Sequence, residues 1–467
     1  MQRIYRHRGF WFVFLGLSSL LALIGQFGRI VADEYCNCAR LLDSNPWEAT
    51  VYLYQSWGGE FFHHLMVLTL SNWITLSFGQ GAATALALLL VFWSLWAFMV
   101  QAVKFSRRTS LRTNTYLNLG AMAFAIVIGM ALPSHLPKVG FIEKFTQQAA
   151  ISEIFLRYPG LVVALGVNLL LLATLIQIFS RLNEGQGSRL QLTTYLGFLS
   201  VLAGLSHYLA AGIFAGALAF LVILSSISTR RIGSLPPLIS ITGLTLGVLV
   251  SFFSPGSQLR KSLLAEGHST VQIEDRLYQS LVAPVWTIFT IFTWSALLVA
   301  VVSILLGVSS WRQATLAREN WCHLVAFGIF VLFFIPVLQY FAALNSYAAA
   351  WHTLLPRALV LALLAGFFFL IGRLAGRRIG TRDANHPSVK VSLVTVVLVT
   401  SSAFALTWSG ASQLPSEWAK GPLPIYPIRH GDGSSYVLSD TENPYWRECY
   451  ERIHPRLSEQ KTYLGLN

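Results

Sequence analysis

The chain has 467 residues, of which 54% are hydrophobic and 11% are charged, and its formal net charge is +13 at pH 7. Soluble globular domains carry about 25% charged residues, so this composition excludes an ordinary soluble protein and predicts an all-α polytopic membrane protein. Short cytoplasmic loops of such proteins are rich in Lys and Arg. The positive charge therefore indicates orientation in the membrane and gives no reason to expect binding to nucleic acid.

Apolar runs long enough to cross a bilayer recur along the whole chain. Window hydropathy predicts about eleven transmembrane helices. They cover residues 9–31, 81–103, 114–132, 159–179, 191–206, 209–227, 235–253, 285–307, 322–341, 357–375 and 390–409. With the N-terminus in the cytoplasm, the short loops on that side hold most of the basic residues, and the C-terminus is extracytoplasmic.

Asp33 and Glu34 directly follow the first apolar run, at the predicted outer edge of the membrane. Carboxylates at the edge of the hydrocarbon are costly unless they are used or paired. An adjacent pair lets one carboxylate act as a general base while the other orients a donor, an acceptor or a metal ion. The alternative is a helix end whose acidic side chains are simply solvated.

The first extracytoplasmic loop, residues 32–80, contains two short amphipathic segments, Pro46 to Trp57 and Glu60 to Phe78. Both are rich in aromatic side chains, which favour the headgroup layer. The second is apolar enough to span, but it contains two histidines and a Ser-Asn pair, and we predict an interfacial or re-entrant helix. The adjacent His63 and His64 diverge by about 100° on a helix, so the sequence predicts no metal site there.

Residues 191–227 are divided by a Ser-His-Tyr sequence at 206–208. We interpret them as two short spans. A single kinked helix is the alternative, and it would reverse the orientation of every later span and lose the agreement with the basic loops.

Three basic residues lie where the predicted outer face is otherwise depleted of them. Arg260 and Lys261 follow the Pro255-Gly256 turn after the seventh span, and Arg357 opens the tenth span. The planar donors of Arg fit phosphate oxygens. For the first two, anionic lipid headgroups are an alternative ligand, and for Arg357 the alternative is a side chain that only reaches toward the interface.

The segment 410–467 is a short extracytoplasmic tail, too small for a core of its own, and we expect it to fold back over the outer loops. It carries Cys449, while Cys36 and Cys38 lie in the first outer loop. A disulfide from Cys449 to either Cys36 or Cys38 is possible in an oxidising compartment. Free thiols are the alternative.

Together these features resemble the GT-C superfamily of membrane glycosyltransferases, through a poorly characterised bacterial branch. Its members carry an acidic motif just after the first helix, followed by juxtamembrane helices. Asp33-Glu34-Tyr35 matches that position, and Trp57-Gly58-Gly59-Glu60 resembles the second juxtamembrane element. Pro255-Gly256-Ser257 with Arg260 approximates a Pro-Gly-Asn motif, although Ser257 and Glu60 depart from the family's pattern. The resemblance covers most of the predicted transmembrane domain, residues 1–409, through the order and spacing of short motifs.

The resemblance implies an inverting transfer of a sugar from a polyprenyl-phosphate donor to an extracytoplasmic glycan, lipid or protein acceptor. Asp33 would be the general base and Glu34 its partner, while Arg260, Lys261 and Arg357 would bind the leaving phosphate. No cofactor is predicted with certainty, although a divalent cation is compatible with the motif. The implied location is the bacterial inner membrane, among membrane lipids.

Two other classes of protein fit the composition. A polytopic transporter or lipid flippase is the main alternative, but such proteins often show repeated halves and polar groups at mid-membrane depth, which this sequence does not clearly contain. A structural or assembly subunit is the third possibility, and it requires no chemistry from Asp33 or Arg260.

Overall fold

The computed structural model describes most, but not all, of the chain. The described residues are 2–28, 30, 33–107, 113–132, 156, 158–206, 208–229, 235–259, 294–310, 328, 354–378, 387–418, 424–429, 435–439, 447–453 and 455. Arg260, Lys261 and most of the predicted span 322–341 lie outside these ranges.

The described part is predominantly helical. Its helices are α1 (Gln2–Gly25), α2 (Asp33–Arg40), α3 (Pro46–Ser56), α4 (Phe61–Val67), a π-helical turn (Leu68–Asn72), α5 (Trp73–Phe78), α6 (Gln80–Arg107), α7 (Thr113–Met130), α8 (Pro159–Glu184), α9 (Arg189–Gly204), α10 (Tyr208–Thr229), α11 (Leu235–Phe252), α12 (Trp294–Ser309), α13 (Leu354–Arg378) and α14 (Pro387–Trp418). Residues 255–259 and 447–453 are also helical. Strands β1 (Pro424–Arg429) and β2 (Ser435–Ser439) form an antiparallel hairpin.

Among the described helices, five are long and apolar enough to cross a membrane. They cover Gln80–Phe105, Pro159–Glu184, Leu235–Phe252, Arg357–Arg378 and Val391–Ser412. Shorter apolar helices cover Trp11–Gly25, Thr115–Met130, Ala210–Leu224 and Trp294–Ser309. These helices support a multi-pass membrane protein, while the finer count of about eleven spans stays a prediction.

The ends of several long helices meet on one side of the bundle, which we call the site face. We define this face by the C-terminal end of α1 and the N-terminal end of α6, which are in contact. A side-chain carbon added at Gly25 of α1 would lie 2.4 Å from the Cα atom of Ala85 in α6. The N-terminal end of α8 and the C-terminal ends of α9 and α11 reach the same face, through contacts with the segment 33–62. The opposite face carries Lys104 of α6, whose ammonium lies 5.7 Å from the ring centroid of Tyr116 in α7.

Residues 61–78 stay on the site face. The Phe62 amide donates to the Leu205 carbonyl at the end of α9, and α5 ends at Gly79, whose positive φ of 95° allows a sharp turn into α6. Because both ends of the run lie beside helix ends on the same face, the run does not cross the bundle. This geometry agrees with the predicted interfacial or re-entrant helix.

The region 191–227 forms two helices, as predicted. Helices α9 and α11 are parallel, because their contacts advance in the same direction along both helices. Ser200 of α9 is hydrogen-bonded to Ser240 of α11. One turn further along α9, a side-chain carbon added at Gly204 would lie 2.8 Å from the Cα atom of Gly247, which is also further along α11. Helix α10 connects these two helices, so it runs in the reverse direction. A single kinked helix over this region would instead have made α11 antiparallel to the first half of that helix.

Small residues allow this close approach of α9 and α11, as is common between membrane helices. A side-chain carbon added at Gly247 would lie 2.5 Å from the Val201 carbonyl oxygen. We therefore expect Gly247→Leu to cost about 1–3 kcal/mol by overpacking, measured as a lower Tm of the purified protein. Gly16→Leu is the matched control, because nothing lies within 4 Å of the added carbon at Gly16; equal losses in both variants would contradict the packing argument.

Several predicted boundaries differ from the structure. Helix α1 ends at Gly25, short of the predicted residue 31, since Gly25 and Gly28 weaken the helix and both press closely against α6. Helix α14 continues to Trp418, beyond the predicted end of the last span at residue 409. The β-hairpin in the tail was also missed, because its strands lie among prolines and polar residues that hide the alternating pattern.

Candidate functional site

The acidic pair opens helix α2 on the site face. Acidic side chains in a first turn interact favourably with the helix N-terminus, and both Asp33 and Glu34 lie in that turn. Neighbouring residues of a helix point about 100° apart, so the two carboxylates face different surroundings. Asp33 is exposed, whereas Glu34 has only 4% of its surface exposed.

Glu34 is held by the first turn of helix α8. The Gly160 amide donates a hydrogen bond of 2.7 Å to Glu34 Oε1. A side-chain carbon added at Gly160 would lie 2.8 Å from that oxygen and 2.7 Å from Val67 Cγ1. Glycine is therefore what allows the backbone of α8 to approach the carboxyl group. Glu34 Oε2 is buried and has no hydrogen-bond partner among the described residues.

The surroundings of Glu34 favour its protonated form. The pKa of Glu34 is raised from 4.5 to about 8, mainly by burial and to a smaller extent by the neighbouring Asp33, against the opposing effect of the Gly160 hydrogen bond. At neutral pH the two carboxyl groups of the pair therefore offer a substrate different chemistry. Glu34 is mostly a neutral acid with a proton to donate, and Asp33 is an exposed acid that can meet a ligand from solution.

A row of buried polar side chains continues from Glu34. Cys38 lies one turn later on α2, and its thiol is 3.5 Å from Asn72 Nδ2, which donates to it. Burial first, and then the Glu34 carboxylate, raise the pKa of the Cys38 thiol. Asn72, Ser71 and Thr75 are each 0% exposed. Asn72 and Ser71 belong to the π-helical turn, a feature that frequently marks functional sites.

Two turns that the sequence places far apart interlock on the same face. The Gly59 amide donates to Ser257 Oγ at 2.9 Å, and Ser257 Oγ donates to the Ser251 carbonyl at 2.8 Å. A side-chain carbon added at Gly256 would lie 2.8 Å from the backbone nitrogens of Gly58 and Trp57. The Trp57-Gly58-Gly59-Glu60 and Pro255-Gly256-Ser257 motifs therefore form one contact, which neither motif predicts alone.

The predicted phosphate-binding residues are located only in part. The described chain reaches Leu259, directly before Arg260 and Lys261, which lie outside the described residues. Arg357 lies in the first turn of α13 and is 5% exposed. An arginine that only reaches toward the interface would be exposed, so its burial argues against that alternative.

The C-terminal tail is attached beside the acidic pair. A disulfide joins Cys36 of α2 to Cys449, which selects one of the two predicted pairings and leaves Cys38 as a buried free thiol. Arg452 Nη2 lies 2.7 Å from Asp43 Oδ2, and the rings of Tyr35 and Tyr450 pack edge to face. The segment 447–453 thus folds back on the first outer loop, as predicted.

We expect the disulfide to dominate this attachment. Loss of a native disulfide costs about 2–4 kcal/mol, whereas an exposed ion pair contributes about 0–1 kcal/mol. Cys449→Ser should therefore greatly increase the hydrogen exchange and proteolysis of residues 447–453, and Arg452→Ala should have little effect. Equal protection of the segment in native protein and Cys449→Ser would contradict this ranking.

The histidine pair forms no metal site in the described residues. His63 and His64 are ring neighbours with centroids 5.6 Å apart, and His64 Nε2 lies 3.9 Å from Glu60 Oε2. Within the ranges that the structure describes, no group of three or more His, Cys, Asp or Glu side chains is placed to hold a metal ion.

Sequence reasoning missed several residues around Glu34. Gly160 opens a predicted span after Tyr158-Pro159, and nothing in that sequence indicates a carboxyl group beside it. Ser71, Asn72 and Thr75 did give a signal, because they interrupt an apolar run with polar side chains. The signal indicates a polar surface but does not identify its partner on α2.

Comparisons with known proteins give no further guide to the family or the activity. No family model, curated protein or solved structure matches this chain.

Proposed function

We propose that this chain is a multi-pass membrane glycosyltransferase of GT-C type. It moves a sugar from a polyprenyl-phosphate donor to an extracytoplasmic glycan, lipid or protein acceptor, with inversion at the anomeric carbon. The main supporting observation is the divided acidic pair, with exposed Asp33 beside buried Glu34 on one face of a helical bundle. Such a pair offers one acid to the substrate and a second acid to support it.

We place the site face outside the cytoplasm, with the N-terminus inside and the protein in a bacterial inner membrane. Basic residues of the opposite face support this orientation. They are Lys104, Arg181, Arg189, Arg377 and Arg378. The Cys36–Cys449 disulfide lies on the site face, and structural disulfides persist in oxidising compartments.

The helices of the site face suit a substrate that arrives from the bilayer. Large aromatic side chains on α3, directly after α3 and on α5 are exposed, as expected for a layer of lipid headgroups. They are Trp47, Tyr52, Trp57, Trp73 and Phe78. A polyprenyl-phosphate donor has its lipid in the membrane and its phosphate at the interface, at the level of these helices.

In the proposed reaction Asp33 removes the proton of an acceptor hydroxyl while that oxygen attacks the anomeric carbon. The new glycosidic bond forms as the bond from the anomeric carbon to the phosphate oxygen breaks, and the lipid phosphate leaves with the bonding electrons. Glu34 orients the substrate. Arg260, Lys261 and Arg357 stabilise the charge that grows on the phosphate.

A polytopic transporter or lipid flippase is the second candidate. The helical architecture fits it equally well, and the buried Arg357 and Arg373 of α13 are of the kind that mark pathways through membrane proteins. The acidic pair favours the enzyme, because its carboxyls lie at a helix start on one face and not along the length of a span.

The test is transfer of labelled sugar by purified protein in lipid nanodiscs. The donors are polyprenyl phosphates that carry different hexoses and pentoses, offered with glycan and lipid acceptors. We expect a product with inverted anomeric configuration. Uptake of these ligands into proteoliposomes, with no transfer from any donor, would overturn the proposal in favour of a transporter.

A further inference from the structure

Four buried polar atoms near the acidic pair have no hydrogen-bond partner within the described part of the chain. They are Glu34 Oε2, Ser71 Oγ, Asn72 Oδ1 and Thr75 Oγ1. A buried polar atom without a partner costs about 1–3 kcal/mol, and native proteins contain few of them. Four in one small region of the site face therefore require an explanation.

These atoms belong to two facing elements. Val67 and Glu34 adjoin at Gly160, since both approach within 3 Å of a carbon added there. One turn along each element, Cys38 and Asn72 are hydrogen-bonded to each other. Ser71 and Thr75 then follow Val67 at intervals of four residues, on the same side of the helical run. We call Glu34, Ser71, Asn72 and Thr75 the polar row.

The two hydroxyls of the row differ from many other buried hydroxyls of the described helices. Many buried helical Ser and Thr residues elsewhere donate to the carbonyl four residues earlier, as in the bonds from Thr50 to Pro46, from Thr193 to Arg189 and from Thr407 to Ala403. Such a bond satisfies the hydroxyl without any ligand. Ser303 in α12, outside the row, is a single further buried hydroxyl of the described helices without a hydrogen-bond partner. Ser71 and Thr75 make no bond of this kind, so their hydroxyls are available to another partner.

We propose that the polar row binds hydroxyl groups of a sugar. This inference rests on the proposed function and names the part of the site that recognises its substrate. A carboxyl, two hydroxyls and an amide provide both donors and acceptors, as a polyhydroxylated ligand requires. The shared chemistry is a sugar ring, which comes either from the lipid-linked donor or from a glycan acceptor.

The row suits an uncharged ligand. Glu34 is mostly neutral at pH 7, since burial raises its pKa to about 8, and the other three members of the row carry no charge. The four atoms are covered in the structure, so binding requires the run 61–78 to move away from α2. The π-helical turn at Leu68–Asn72 interrupts the regular α-helical hydrogen bonding of this run, and such interruptions are where helices bend. The turn contains Ser71 and Asn72, two of the residues that this movement would uncover.

The test uses two nearly isosteric variants, Ser71→Ala and Thr75→Val, with Thr50→Val as the matched control. Thr50 is also 0% exposed and lies in α3 of the same layer, but its hydroxyl is bonded to the Pro46 carbonyl. The probes are polyprenyl-phosphate-linked hexose and pentose for the donor, and the methyl glycosides of the same sugars for the acceptor. Affinity and ligand-free Tm are measured for the full chain in nanodiscs.

We expect each row variant to bind one class of probe about 3- to 10-fold more weakly, which corresponds to one neutral hydrogen bond. Its ligand-free Tm should be equal to or higher than that of the native protein, because a costly unpaired hydroxyl is removed. The control should bind the probes normally. Weaker binding of the lipid-linked probes alone would assign the row to the donor, and weaker binding of the methyl glycosides alone to the acceptor.

The inference is overturned if the native protein binds neither class of probe, or if both row variants bind the probes as tightly as the native protein does. The same measurements distinguish a failure of this inference from a failure of the proposed function. Sugar binding that depends on the row, without any transfer, would retain the inference and reject the enzyme. Transfer with an unchanged KM in both row variants would retain the enzyme and reject the inference.

Discussion

Replacing Asp33 with asparagine should lower sugar transfer by about a thousandfold, since a positioned general base contributes roughly 10²- to 10⁴-fold to the rate. The substitution keeps the size of the side chain and removes its ability to take a proton. Asp33 is exposed at the start of α2, so the variant should keep the fold of the native protein. The measurement is the initial rate of transfer in nanodiscs, together with Tm.

Asp43→Asn is the matched control for Asp33→Asn. Asp43 is another acid in the first outer loop, with a half-exposed pair to Arg452, and losing an exposed ion pair costs about 0–1 kcal/mol. The control should therefore transfer sugar at nearly the native rate. A well-folded Asp33→Asn protein with native activity would remove the proposed base, and equal losses in both variants would indicate a general effect of charge.

Replacing Glu34 with glutamine should stabilise the protein, by an amount that grows as the pH rises. The pKa of Glu34 is about 8 in the folded protein and 4.5 without the protein environment. Below pH 4.5 the carboxyl is protonated in both states, and the substitution should have little effect. Between pH 4.5 and about pH 8 folding requires uptake of a proton, so the stability of the native protein falls by about 1.4 kcal/mol per pH unit.

Glutamine removes this proton uptake and keeps an oxygen for the Gly160 amide. The difference in unfolding free energy between Glu34→Gln and native protein should be close to zero at pH 4 and reach about 3 kcal/mol at pH 7. It is followed as Tm between pH 4 and pH 9, with Glu451→Gln as the control, because the Glu451 side chain is 69% exposed. A difference that does not change with pH would show that folding leaves the pKa of Glu34 unchanged, and would contradict the effect of burial.

Burial of Glu34 therefore lowers the stability of the fold at neutral pH, while it keeps a protonated carboxyl group at the proposed site. A neutral acid beside an exposed carboxylate lowers stability at neutral pH, and such costs are commonly retained at sites that need them. The Gly160 amide limits the cost, because it donates to one oxygen of the carboxyl. The other oxygen stays available to the substrate in the proposed site.

Much of the local structure follows from the sequence of the outer loop. Asn45 caps α3 and forms a capping box with Glu48, and Pro46 opens that helix. The amphipathic helices at 46–57 and 60–78 were predicted close to their observed bounds. The predictions held here because capping residues and apolar periodicity act within a few residues of the chain.

Prediction was weaker wherever a partner lies far along the chain. The sequence allowed Cys449 to pair with Cys36 or Cys38, and the fold selected Cys36 by turning it toward the tail. It singled out two glycine turns, at 58–59 and at 256, but gave no sign that they touch. The roles of Arg260, Lys261 and Arg357 on a phosphate stay predictions.

The sequence by itself determined the class of the molecule and the place of its acids. Hydropathy and basic residues are summed along a segment, so they predict apolar helices, their orientation and an acidic pair just after the first of them. Only the tertiary structure decided that Asp33 faces out while Glu34 lies against Gly160, and that Ser71, Asn72 and Thr75 complete a buried row. Burial and hydrogen bonding depend on which helix becomes a neighbour, and no single segment carries that information.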